Sequence, residues 1–262
     1  MSHAHIHQSN GVSSELMLAL PFVLFIVLYI LAAVVSNRSY KQWPLYRYIF
    51  WIFGVLCAGS SVIGPLANSA HQDFTVHMLG HLLLGMLAPL LMVLAAPMTL
   101  IFRTLNVSLA RHLSRMLKSR PVRIWSHPVV ASLLNIGGLW VLYTTDLYSA
   151  MQQAILLHIF IHIHVFFAGY LFTISMIYID PAPHHFRFDY RAIVLIMALT
   201  GHGILSKYLY AHPPKGVPAA QAETGGMLMY YGGDIIDLVL ISILCLQWYK
   251  ATRPRAAIST TA

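Results

Sequence analysis

The chain is patterned in long apolar runs rather than short alternations. Seven stretches dominate it: Glu15 to Val35, Tyr48 to Leu66, Phe74 to Phe102, Pro128 to Thr145, Met151 to Ile179, Tyr190 to Ala211 and Gly226 to Tyr249. About 20 mostly apolar residues carry an α-helix across a bilayer core. The runs therefore predict an all-α, polytopic membrane protein with seven transmembrane helices. The third and fifth are long enough to tilt or to project beyond the bilayer. The first is too long, and its N-terminal side too poor in Lys and Arg, for a cleaved signal peptide. These boundaries give a His-containing tail over 1–14, a membrane domain over 15–250 and a basic tail over 251–262.

Composition supports this reading. Of the 262 residues 58% are hydrophobic and 9% charged, against about 25% charged in a typical soluble domain. Disorder needs the opposite balance, and so few charges cannot coat a soluble globule. The net charge of +8 would suggest nucleic acid in a soluble chain. Here it marks cytoplasmic loops, and no nucleic-acid partner is expected. Arg38, Lys41, Arg47, Arg103, Arg111, Arg115, Lys118, Arg120, Arg123, Arg187, Arg191, Lys250, Arg253 and Arg255 fall on one side of the seven-span topology, and only Lys207 and Lys215 on the other. The positive-inside rule then puts the N-terminus outside and the C-terminus in the cytoplasm. Leu109 to Arg123 reads as a basic, partly helical interfacial loop against anionic lipid. Cys57 and Cys245 both lie in apolar runs and build neither a disulfide framework nor a metal motif.

Histidine is abundant, at 15 residues. His77 and His81 share a face of span three at i and i+4, and His158 and His162 repeat that spacing in span five. His202 interrupts span six, and Asp234 and Asp237 interrupt span seven. Ionisable groups within a bilayer face a bundle interior or a watery cavity, or hydrogen-bond across helix interfaces. At 1.5 Å of rise per residue, His81, His158, Asp234 and His202 lie roughly 10–14 Å below the outer boundary. A polar layer at one depth, drawn from four helices, is what a metal or cofactor site requires. Imidazole suits copper, zinc and iron, and thioether suits Cu(I). Met78, Met227 and Met229 lie near the histidines or Asp234 as accessory donors, and His3, His5 and His7 form a short metal-binding tract outside. Asp234 is read as a ligand or as a carboxylate orienting an imidazole. His164, offset by about 200° from His162, is expected to bond a neighbouring helix. His184 and His185 fall on the cytoplasmic side, away from this layer. No nucleophile, general acid or phosphate loop is visible, so the chain is not read as an enzyme.

Several motifs resemble those of the Bacillus CtaG-type cytochrome c oxidase assembly proteins. His77-Met78-Leu79-Gly80-His81-Leu82-Leu83-Leu84, with Ala88-Pro89-Leu90-Leu91 and Ala96-Pro97, is similar to that family's third helix. His162-Ile163-His164-Val165-Phe166-Phe167-Ala168-Gly169-Tyr170-Leu171-Phe172 and Asp180-Pro181-Ala182-Pro183 resemble its fifth helix and the following turn. Gly225-Gly226-Met227-Leu228-Met229-Tyr230-Tyr231-Gly232-Gly233-Asp234 resembles its last helix. The chain departs at Tyr230, where many members carry Trp, and at Ala222-Glu223-Thr224, where many carry Asp-Gln-Gln. The resemblance implies a multi-pass protein of the bacterial cytoplasmic membrane that matures haem-copper oxidases. It further implies copper supply to the oxidase catalytic subunit, drawing on an extracytoplasmic copper donor protein. His77, His81, His158, His162, His202 and Asp234 would then be the copper-handling set. Two rival readings use the same residues: a haem-binding redox protein with bis-His ligation, and an ion- or proton-coupled transporter.

The topology has a direct check. A cysteine at Ser9 should react with an impermeant thiol reagent applied from outside, and a reporter fused after Thr261 should be active in the cytoplasm. Labelling of residues 109–123 from outside, with Ser9 protected, would invert the orientation.

Overall fold

The computed structural model describes the backbone of residues 4–182 and 184–253, and side chains from Leu16 onward except Pro183. The side chains of His3, His5 and His7 lie outside the described residues. Among the described residues the secondary structure is entirely helical. The helices are α1 (Ala4–Ser39), α2 (Leu45–Ser60), α3 (Pro65–Ala70), α4 (Phe74–Leu94), α5 (Pro97–Thr104), α6 (Val107–Leu117), α7 (Arg120–Trp125), α8 (Pro128–Thr144), α9 (Leu147–Gln153), α10 (Ile155–Met176), α11 (Phe188–Ala211) and α12 (Ala219–Thr252).

Five of these have a stretch long and apolar enough to cross a membrane, in α1 (Leu16–Ser39), α4, α10, α11 and α12, and the bent pair α8 and α9 brings the number to six. At 16 residues, α2 is apolar but shorter than the others. Three of the expected runs are interrupted. The second ends at Ser60, and Gly64, at φ 85, turns the chain into Pro65. The third breaks at Ala96, which adopts φ 53 immediately before Pro97. Proline disfavours the α conformation in the residue it follows, and Ala96 takes the left-handed alternative. The fifth breaks at the extended residue Ala154, and the turn before it leaves α9 bent by 79° from α8. The basic segment after α5 forms two amphipathic helices, α6 and α7, in which no side chain is buried.

The break at Ala96 is held from both sides. Asp180, beyond the end of α10, accepts from Thr99 N at 2.7 Å, Thr99 Oγ1 at 2.6 Å and Met98 N at 3.0 Å. A carboxylate thereby meets the positive end of α5. On the other side Tyr29 Oη donates to Ala95 O at 2.7 Å and accepts from Trp43 Nε1 at 3.0 Å.

Helix α4 is the axis of the bundle, with 61% of its apolar stretch buried against 11% for α1. It packs on α12, α2 and α10. Its middle turn, Leu83–Leu87, is a π-turn. Pro89 supplies the cause: it has no N–H for the carbonyl of Gly85 four residues back, and its ring presses on that carbonyl. A widened turn absorbs both effects. The second π-turn, Leu133–Gly137, lies in α8. Apolar clusters fill the two halves of the interior, one around Phe74, Met78, Tyr143, Leu205 and Met229, the other around Leu90, Phe172, Met176, Leu195 and Leu244. Large exposed apolar side chains, among them Leu20, Phe25, Phe160, Ile196, Ile235 and Leu238, clothe the outside, as lipid contact requires.

At the crossing of α4 and α10 a Cβ on Gly169 would fall on the Gly85 carbonyl. By contrast, a Cβ on Gly137 would meet nothing within 4 Å. Gly169→Ala should therefore destabilise the purified protein by about 1–3 kcal/mol or more. Gly137→Ala should change stability by less than about 1 kcal/mol. Thermal midpoints in one detergent decide this, and equal midpoints for both variants would refute the backbone contact.

Candidate functional site

The i,i+4 pair on α4 is buried, His77 at 8% and His81 at 6% exposure, as is His202 on α11 at 3%. Two glycines make the room, one on a neighbouring helix and one a turn further along α4 itself. A Cβ on Gly233 of α12 would sit 2.6 Å from His202 Cε1, and one on Gly85 would sit 3.3 Å from His81 Cε1. The rings of His81 and His202 face one another across α4 and α11, with centroids 6.5 Å apart. Each has a buried Nε2 without a hydrogen-bond partner. His77 differs, because its Nε2 lies 3.1 Å from Tyr143 Oη on α8. Tyr148 of α9 also stands against His77, ring centroids 5.1 Å apart.

His158 and His162 stack along α10, with centroids 4.2 Å apart, and His162 Nδ1 lies 2.9 Å from His158 O. His71, in the turn between α3 and α4, continues the stack with its ring 5.0 Å from that of His158. It was not among the expected residues. Its signal in the sequence was weak, since a lone His beside Gln72-Asp73 reads as a loop. Beside His71 opens a pocket of about 240 Å³, lined also by Asp73, Tyr148, Gln152, Lys215 and Gln221.

His164 has a separate task, as its offset from His162 implies. Its Nε2 lies 3.2 Å from Leu134 O in the π-turn of α8. The Gly138 N–H, which would normally serve that carbonyl, turns to Asn135 O instead. A Cβ on Gly138 would lie 2.6 Å from the imidazole, so Gly138 creates the seat for this ring.

The carboxylates divide by helix phase. Asp234 is exposed, while Asp237 is buried. Asp237 lines a small interior cavity with His202, Asn135 and Thr173. These three polar companions of His202 were not expected in the site. Met78 and Met229 are fully buried in the apolar cluster, and Met227 is exposed. Among the described residues no three His, Cys, Asp or Glu side chains gather closely enough to hold a metal ion. The histidines instead form an inner pair, His81 and His202, and a stacked column, His71, His158 and His162, with His77 bonded to Tyr143.

The sequence profile of the cytochrome c oxidase caa3 assembly factor family (Caa3_CtaG) matches residues 27–251. The chain belongs to this family. The chain is similar to an uncharacterized protein of Mycobacterium bovis, 31% identical over 240 residues, which cover 83% of this chain and 36% of the relative. A Mycobacterium tuberculosis protein matches with the same identity and coverage. One of Mycobacterium leprae is 25% identical over 243 residues, covering 85% of this chain and 37% of the relative. The chain thus spans little more than a third of the length of these curated relatives. No solved structure matches it.

The geometry separates histidines that hold the fold from those with a free nitrogen. His164→Leu removes the donor from a part-buried carbonyl and should cost about 1–3 kcal/mol of stability. His202→Leu leaves no such orphan and should cost less. Thermal midpoints of the two variants test the assignment, and the reverse order would refute it.

Proposed function

We propose that this assembly factor holds copper within the membrane and hands it to the catalytic subunit of a haem-copper oxidase during assembly. One observation carries the reading: two buried imidazoles on different helices, His81 and His202, each with an unpartnered Nε2. A buried nitrogen without a partner is costly, and a ligand removes that cost. Two imidazoles on one ion, with bonds near 2 Å, place their ring centres roughly 6 Å apart. The observed 6.5 Å is close to that spacing. Imidazole is a good copper ligand, and a pair of neutral donors lets the ion load and leave.

The wider arrangement fits the role. If α2 and the bent pair α8 and α9 each cross the bilayer, the chain has seven spans, and loop charge sets its N-terminus outside and its C-terminus in the cytoplasm. The pocket beside His71 then opens to the extracytoplasmic side, where a donor protein would deliver copper. His158 and His162 lead inward from it, and Asp234 stands on the outer surface of α12. The membrane is that of a bacterial cell, and the role is non-catalytic. The interior cavity next to His202, about 30 Å³, suits a single ion and not a porphyrin, which favours copper over haem.

Cells lacking the protein should assemble an oxidase that keeps its haem, lacks catalytic copper and turns over poorly. Wild-type protein and His185→Ala should restore activity, whereas His81→Ala and His202→Ala, at equal expression, should not. Added copper should compensate in part. Metal and haem analysis of the purified oxidase decides between readings, because full copper with missing haem would refute copper delivery.

A further inference from the structure

Two structural irregularities meet at one place. The π-turn of α4 contributes Gly85 and Met86, and the π-turn of α8 contributes Asn135 and Ile136, to the wall of the same cavity. From α10 comes Thr173, from α11 His202 and from α12 Asp237. The space amounts to about 30 Å³, enough for one ion with at most a water or two.

The donors around it are specific in kind. His202 is 3% exposed and its Nε2 has no partner. Thr173 donates its hydroxyl hydrogen to Gly169 O at 2.8 Å, so lone pairs remain to face the cavity. Asp237 is 6% exposed, and neither ion pair among the described residues, Arg187–Asp189 or Lys215–Asp146, involves it. The wall therefore offers a carboxylate, an imidazole nitrogen, a hydroxyl oxygen and an amide, with no cation of the protein's own. A carboxylate buried inside a membrane without a cation of the protein's own needs either a proton or a positive occupant to balance it. The Met86 thioether and the imidazole select the kind of cation, because these soft donors favour Cu(I) over alkali or alkaline-earth ions.

We propose that this cavity is the holding site for one Cu(I), bound by His202 Nε2 and Met86 Sδ, with the Asp237 carboxylate balancing its charge. The proposal rests on the copper reading above and adds to it the ligand, the countercharge and the place. His81 becomes the step before the site, sharing the ion with His202 as it passes inward. The two π-turns are what let Met86 and Asn135 reach a common space.

The test loads the full-length protein anaerobically with Cu(I) alone and compares near-isosteric variants that elute as monodisperse species. The wild type should bind one copper, with a sulfur neighbour in its X-ray absorption spectrum. Met86→Leu should lose the sulfur neighbour and keep a weaker site. Asp237→Asn and His202→Gln should each weaken binding roughly tenfold or more. Met197→Leu and Asp146→Asn should bind like the wild type. A sulfur neighbour that persists in Met86→Leu, or full affinity in Asp237→Asn, would overturn the cavity assignment while leaving copper handling intact. A wild type that binds no Cu(I), or whose cavity takes only sodium, would overturn both.

Discussion

Within a bilayer a backbone carbonyl has no water to turn to, and the centre of this bundle is arranged around two that lose their helical donor. Pro89 takes the donor from Gly85 O, and the π-turn of α8 takes it from Leu134 O. The first carbonyl is pressed against Gly169 of α10, where close approach permits a Cα–H contact. The second receives His164 of the same helix. One face of α10 therefore settles both faults. The glycines, the proline and one histidine of the motif belong to this single problem, and the remaining histidines are released from it.

That division explains the character of the interior. The Nε2 of His164 is spent on backbone and that of His77 on Tyr143, so neither Nε2 can bind an ion without breaking a bond. His81 and His202 are packed by glycine surfaces that donate nothing. The same small residues that bring helices into contact keep these imidazoles unsatisfied. Packing and reactivity are thus set by one feature, close helix approach at Gly85 and Gly233.

Much of the bundle was legible from hydropathy, because runs near twenty residues carry the information in their length. The breaks were harder to read. Ala96-Pro97 announced a stop, but nothing local announced the Asp180 cap that makes the left-handed turn tenable, since the two segments are distant in sequence. The bend after α8 was hidden because the end of α9, from Met151, reads as the start of the next span. In the site, shared depth marks His81 and His202 together, while helix phase divides the two carboxylates of span seven. Asp237 follows Gly233 by four residues and precedes Leu240 by three, so it lies on the buried face, whereas Asp234 lies about 100° from Gly233, off that face. That distinction was present in the sequence. The roles of Asn135 and Thr173 were not, because a polar residue in an apolar run shows where it sits along the helix and not what stands opposite.

The other end of α11 bears on the interior as well. Arg191 is buried, donates to Met176 O at 2.6 Å, and sits with its guanidinium 4.1 Å from the Tyr178 ring and 4.4 Å from that of Phe188. His202 follows it by eleven residues, about three full turns, so both point into the protein along one line roughly 16 Å long. Sliding α11 by a single turn would tear the guanidinium from its carbonyl and its aromatic seat. The arginine acts as a plumb line: the height of the imidazole in the bilayer is set by a charge anchored at the far end of the same helix.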